Sequence, residues 1–266
     1  MSGRTDRTHT PPSDRASPVP RRRGRALRAP RAAFQTLAAR VEIGVLAGAL
    51  AAAAALLVFV WLAGAIVDGD TLGFDQRILR ALRAPDDPAD PIGPLWFEEM
   101  ARDVTALGST IVLTLVTLGV VGFLVMLSKR GAAVLVFASV SGGTLLSYLL
   151  KAAFDRPRPD LVPHGATVYT ASFPSSHAML SAVVYLTLGA LLARVQPRRR
   201  LKIYLLCIPI LTTVAVGLSR VYLGVHWPTD VLAGWCAGAG WAAVCWLVAL
   251  RLQRRGAVEQ EGRPRP

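Results

Sequence analysis

The sequence predicts an all-α polytopic membrane protein: six transmembrane helices in one bundle, with a short amphipathic helix in an outer loop. Three observations predict it. Of the 266 residues, 53% are hydrophobic, and the mean hydropathy of +0.42 exceeds what a soluble domain can cover with polar groups. The apolar residues fall in six long blocks, most of them long enough to cross a bilayer, separated by short charged stretches. The basic residues between the blocks are sorted to one side.

Residues 1–42 hold ten Arg, several Pro and little that could form a core, and read as a disordered cytoplasmic tail. The basic region is too long for a signal peptide, and the apolar stretch after it fills a whole span. The membrane domain occupies 43–250, with blocks at about 43–67, 106–127, 132–150, 173–193, 203–219 and 229–250. Most reach the roughly 20 residues needed to cross about 30 Å of hydrocarbon. The fifth, Ile203 to Ser219, is the shortest. Ala and Gly enrich their interiors, as in Ala51 to Ala55, and small residues let helices approach closely in lipid. Residues 251–266 form a second basic cytoplasmic tail.

With the N-terminus inside, the two tails and the turns at 128–131 and 194–202 carry 22 of the 30 Lys and Arg. That asymmetry supports six spans with both termini cytoplasmic. The outer loop at about 68–105 is acidic and interrupted by Pro. Within it Phe74, Ile78, Leu79 and Leu82 recur at helical spacing, opposite Asp75, Arg77, Arg80 and Arg83. A short amphipathic helix at the membrane surface is expected there, packing against the outer helix ends.

The formal net charge of +13 raises nucleic acid as a partner. Recognition of that kind needs basic residues interleaved with base-reading groups on a folded face. Here Arg sits at block edges and in the tails, so topology accounts for the charge and no nucleic-acid partner is expected. Cys207, Cys236 and Cys245 lie inside apolar blocks and read as small buried hydrophobes, not as a disulfide framework.

Three clusters carry chemistry. Lys151 ends the third span, and Arg156 and Arg158 follow before Pro159. Cations on this side run against the charge bias, and an anionic ligand gives them a reason. Next, Ser175, Ser176 and His177 open the fourth span, where hydroxyls and unpaired N–H groups at the positive end of a helix suit phosphate. Helix capping by serine is the structural alternative. A titratable His177 at the mouth of a span is costly to keep without use. Last, Ser219 and Arg220 precede His226 and Asp230 between the fifth and sixth spans. A carboxylate four residues after an imidazole can accept one ring N–H and leave the other nitrogen free to attack. The pair is also compatible with a metal, although two histidines and few carboxylates make a poor cage. All three clusters fall on one membrane face. His9 and His164 lie away from them and read as bystanders.

In that order the clusters resemble the three-part signature of the type 2 phosphatidic acid phosphatase superfamily. The signature is Lys-x6-Arg-Pro, Pro-Ser-Gly-His and Ser-Arg-x5-His-x3-Asp. Here it runs Lys151 to Arg158-Pro159, Pro174 to His177, and Ser219-Arg220 to His226 to Asp230, within a resemblance covering about 43–250. Ser176 replaces the usual Gly and keeps its backbone N–H, so tolerance is expected. The resemblance implies that His226 is the nucleophile, oriented by Asp230. It implies that His177 is the general acid, and that Lys151, Arg158, Ser175, Ser176 and Arg220 cradle the phosphate. No metal and no cofactor are implied. The expected substrate is a lipid phosphate or diphosphate reached from the bilayer. Undecaprenyl diphosphate at the outer face of the plasma membrane comes first, phosphatidate or phosphatidylglycerophosphate second. A lipid phosphotransferase and a non-catalytic membrane protein are the remaining classes.

Overall fold

A computed structural model describes Gly3 and residues 28–160 and 171–254, with side chains over 45–160 and 171–253. His9, His164 and most of the tail expected over 1–42 lie outside the described residues. Among those described, every regular element is helical: α1 Arg28–Val67, α2 Leu72–Ala81, α3 Leu95–Ala106, α4 Thr110–Met126, α5 Arg130–Ala153, α6 Ser176–Val195, α7 Arg199–Tyr222 and α8 Pro228–Arg254.

Five helices, α1 from Val45 and α5 to α8, are long and apolar enough to span a membrane, and α3 with α4 makes a sixth when that bent pair counts as one. The six-helix expectation therefore holds, with three local differences. The second span is a broken one: α3 and α4 meet at 46°, and Gly108 lies in the turn, where a Cβ would come within 2.4 Å of Val216 and 3.3 Å of His177. In the sequence the α3 segment falls in the outer loop, because its apolar residues are diluted by acidic ones. The fifth span extends past 203–219 at both ends, to Arg199 and Tyr222; at the site end the polar tips of Arg220 and Tyr222 donate to Thr105 Oγ1 and Ile92 O inside the protein.

The third difference concerns α2, which forms where the amphipathic pattern placed it. Its buried face carries Asp75 and Leu79, while Phe74 is largely exposed. Arg83, just beyond the helix, is also buried. The sequence reading put Asp75 and Arg83 on the polar side. The true inward stripe is Asp75, Ile78, Leu79 and Leu82, at the i, i+3, i+4, i+7 spacing of a single helix face.

Helix α6 is the axis of the bundle, contacting α4, α5, α7 and α8. Ala178, Met179, Ala182, Val183 and Val184 on it are essentially inaccessible. Close approach depends on small residues: Cβ atoms at Gly234 and Gly238 of α8 would lie 2.7 Å from Ser175 O and 2.4 Å from Met179 O of α6. In lipid, where apolar burial no longer drives association, such backbone-to-backbone packing supplies the attraction. At the end of the bundle bearing the three clusters, Leu79 of α2 packs with Ala178, Val221, Trp227 and Val231, joining four helices around the loop that carries His226.

Candidate active site

The C-terminal end of α5, the N-terminal ends of α6 and α8 and the C-terminal end of α7 bring the three clusters to one end of the bundle. His226 sits between α7 and α8 and is 2% exposed; Asp230, in the first turn of α8, is inaccessible. The imidazole Nδ1 lies 3.5 Å from Asp230 Oδ2, a long contact that the Ser172 hydroxyl bridges. The Ser172 hydroxyl donates to Asp230 Oδ2 at 2.5 Å and lies 3.3 Å from Nδ1. The same carboxylate oxygen accepts the Trp227 backbone N–H at 3.1 Å.

The other ring nitrogen decides the tautomer. Arg158 Nη1 lies 3.2 Å from His226 Nε2, and a guanidinium has no acceptor. Nε2 therefore presents its lone pair, and the proton sits on Nδ1, facing the carboxylate. Burial pushes the His226 pKa down to about 4, against the pull of Asp230, and the nearby guanidinium groups of Arg158 and Arg220 add to the fall. Near neutral pH the ring is uncharged with no proton on Nε2, the state a nucleophile requires. Burial also lowers the Arg158 pKa, although Asp230 opposes it; a guanidinium remains charged at any physiological pH.

The remaining residues singled out in the sequence lie at the same end of the bundle. His177, the second residue of α6, lies within electrostatic reach of Arg220, His226, Arg158 and Lys151. Lys151 Nζ donates to Ala171 O at 2.6 Å, and Arg220 Nη1 donates to Thr105 Oγ1 at 3.2 Å. Ser175 occupies the N-cap position of α6 without a side-chain cap hydrogen bond, which argues against the capping alternative. Its Oγ and the Arg220 Nε are buried without a protein partner. Such groups cost free energy unless a ligand satisfies them. Ser176, by contrast, has its Oγ 3.1 Å from Ser147 Oγ of α5, so its side chain turns to packing while its backbone stays in the first turn.

A three-part cluster of hydroxyl, imidazole and guanidinium groups at this spacing leads to a comparison with known proteins. The PAP2 superfamily model matches residues 132–254. Phosphatidylglycerophosphatase B of Bacillus subtilis is 32% identical over 188 residues, covering 68% of this chain and 86% of that protein. The chain belongs to the PAP2 superfamily. An undecaprenyl-diphosphatase of Sulfolobus acidocaldarius is 38% identical over a shorter stretch of 68 residues, 26% of this chain and 29% of that one. The crystal structure of a transmembrane PAP2-type phosphatidylglycerolphosphate phosphatase from B. subtilis superposes with a TM-score of 0.69 at 28% identity, covering 76% of this chain and 98% of its own. As a PAP2 phosphatase, the chain is a membrane enzyme acting on lipid phosphates.

Several residues of this PAP2 site did not stand out as site residues in the sequence. Ser172 and Thr229 lie beside the motif residues, but a lone hydroxyl there has no periodicity to mark it. Arg156 reads in the sequence with Lys151 and Arg158 as a cation for an anionic ligand; in the structure it pairs instead with Asp75 and Asp230. Asp75 was detectable in principle, as an acidic residue in line with an apolar stripe. Thr105 and Gly108 come from the broken second span, and no local pattern connects them to a site so distant in sequence.

Proposed function

We propose that this lipid phosphatase works through a phosphohistidine on His226, with its active site at the outer face of the plasma membrane. The observation that carries the reading is the tautomer of His226: a neutral ring with Nδ1–H toward Asp230 and an Nε2 lone pair facing the cationic side chains. Nε2 attacks phosphorus, the N–P bond forms, and the P–O bond to the lipid breaks with its electron pair leaving on oxygen. His177 protonates that oxygen. Water, deprotonated by the same imidazole, then attacks phosphorus, and the P–N bond breaks to regenerate His226.

Charge on the phosphoryl oxygens needs fixed donors. Lys151, Arg158, Arg220, the Ser175 hydroxyl and the first amides of α6, including that of Ser176, supply them; the orphaned Ser175 Oγ and Arg220 Nε fit this role. These cations take the part a divalent ion plays in other phosphoryl-transfer enzymes. An apolar cleft of about 360 Å³ between α1, α5 and α8, lined by Phe59, Leu150, Cys236 and Trp241 among others, reaches the residue next to Lys151. It supports a substrate whose tail stays in the bilayer.

The reading retains undecaprenyl diphosphate as the first substrate to test. Phosphatidylglycerophosphate stands beside it, favoured by the length of the match to the B. subtilis phosphatase. Phosphate release from both lipids would be measured in detergent with excess EDTA, comparing wild type with His226→Ala. Release by the wild type is expected to survive EDTA and to fall by at least about a thousandfold in the variant, as when a nucleophile is removed. Release that EDTA abolishes, or that persists in His226→Ala, would overturn the mechanism. Formation of a new phosphate ester from an added lipid alcohol, with no free phosphate released, would identify a phosphotransferase instead.

A further inference from the structure

A densely hydrogen-bonded buried charge, Arg156, lies behind the His226–Asp230 pair, on the Asp230 side. Arg156 is about one-tenth exposed, and the two carboxylates it bridges, Asp75 and Asp230, are inaccessible. Its Nη1 donates to Asp230 Oδ1 at 2.5 Å and to Thr229 Oγ1 at 2.9 Å. Its Nη2 donates to Asp75 Oδ2 at 2.7 Å and to Thr71 Oγ1 at 3.2 Å. The Trp227 ring covers it, with the guanidinium carbon 5.6 Å from the ring centroid. Asp75 also reaches across to α8: Oδ1 accepts the Thr229 backbone N–H at 3.0 Å, and Oδ2 accepts the Thr229 hydroxyl at 2.7 Å. One of the first amides of α8, which has no partner within its own helix, is thus capped by a residue of another helix. The helix so capped is the one that carries Asp230.

The charge count gives this arrangement a consequence. When His226 attacks phosphorus, positive charge grows on the imidazole, and Asp230 is the carboxylate placed to balance it. Were Arg156 paired with Asp230 alone, one cation would cancel one anion, and the pair would offer His226 little. With Asp75 on its other arm, Arg156 holds two carboxylates, and the buried trio keeps one net negative charge beside the imidazole. We propose that Asp75 of the surface helix α2 is a positioning residue of the phosphatase: through Arg156 and Thr229 it fixes Asp230 and leaves its charge available to His226. The inference rests on the phosphohistidine reading above. It makes α2 part of the catalytic apparatus, although neither Asp75 nor Arg156 faces the cationic pocket where phosphate is placed.

The pH dependence of kcat/KM tests this, because a residue with only a packing role would not move it systematically. The charged and titratable groups around His226 are Asp230 on α8, Arg156 and Arg158 after α5, Lys151 on α5, His177 on α6 and Arg220 on α7. Substrate titration is common to all variants. Asp75→Asn removes the compensating charge, so the acid limb is expected to move down by roughly half to one pH unit, with kcat about tenfold lower and KM unchanged. Asp75→Asn combined with Arg156→Gln again leaves one net negative charge, and its limb is expected back at the wild-type position. A wild-type limb in folded Asp75→Asn, or a double variant displaced as far as the single one, would overturn the proposal. Should Asp75→Asn not survive extraction, Arg156→Lys takes its place: the charge stays, so the limb stays, but a single ammonium cannot hold both carboxylates and kcat falls at constant KM. Wild-type kcat in Arg156→Lys would equally overturn it. Undecaprenyl diphosphate and phosphatidylglycerophosphate serve as probes, each with His226→Ala as control. If the wild type releases phosphate from neither, or His226→Ala remains active, the underlying function has failed, and not the role of Asp75 within it.

Discussion

His226 combines three environments that rarely coincide: near-complete burial, a carboxylate on one ring nitrogen and a guanidinium on the other. Burial outweighs the carboxylate, so the folded pKa lies near 4, below the roughly 6.5 of an unfolded histidine. The unfolded chain then binds more protons than the folded one between those values, and stability falls as pH drops through that window. At its limit the loss is about 3 kcal/mol. Thermal unfolding in detergent at pH 7 and pH 5 is expected to show a clear drop in Tm for the wild type and a smaller one for His226→Gln. Equal drops in the two proteins would mean that the imidazole is hydrated in the folded state.

The element that sets the site's precision is the pair α6 and α8. Ser175 N donates to Asp230 O at 3.0 Å, so the starts of the two helices are hydrogen-bonded to each other at the level of the proposed catalytic residues. Gly234 and Gly238 permit this by letting the α8 backbone lie on α6. Gly238→Ala would place a Cβ 2.4 Å from Met179 O, and a backbone oxygen cannot swing aside as a side chain can. Separation of the helices is expected to cost about 1–3 kcal/mol, as overpacking does elsewhere, and to lower kcat by misplacing Asp230 against Ser175. Gly64→Ala in α1, where a Cβ meets nothing within 4 Å, is the matched control. Tm and phosphate release measured on both variants would test this; Gly238→Ala behaving like Gly64→Ala would refute it.

At the scale of the whole molecule, the clusters and the basic turns occupy opposite ends of the bundle. Lys129 and Arg130 sit at the start of α5, and Arg198, Arg199 and Arg200 at the start of α7; His177, His226 and Asp230 lie at the other end. The proposed outer-face site requires the basic end to lie inside, as the charge bias favours. In a variant lacking the three native cysteines, Asp87→Cys is expected to react with a membrane-impermeant maleimide in intact cells. Arg198→Cys is expected to react only after permeabilisation. The reverse pattern would put the active site inside and exclude a substrate recycled at the outer face.

The sequence alone determined the helical spans, their number and the identity of the residues that meet at one end, because bilayer thickness demands long apolar blocks and phosphate chemistry demands His, Arg and Lys. It also contained the amphipathic pattern of α2, since helical periodicity is a local property. Tertiary structure decided what periodicity could not express. It turned Asp75 inward, because burying a carboxylate is tolerable only where Arg156 and the Thr229 amide wait for it. It broke the second span at Gly108 to bring Thr105 against Arg220, and it placed Ser172 between imidazole and carboxylate. Each of these depends on partners remote in sequence, and a buried charge or hydroxyl takes its meaning from such partners.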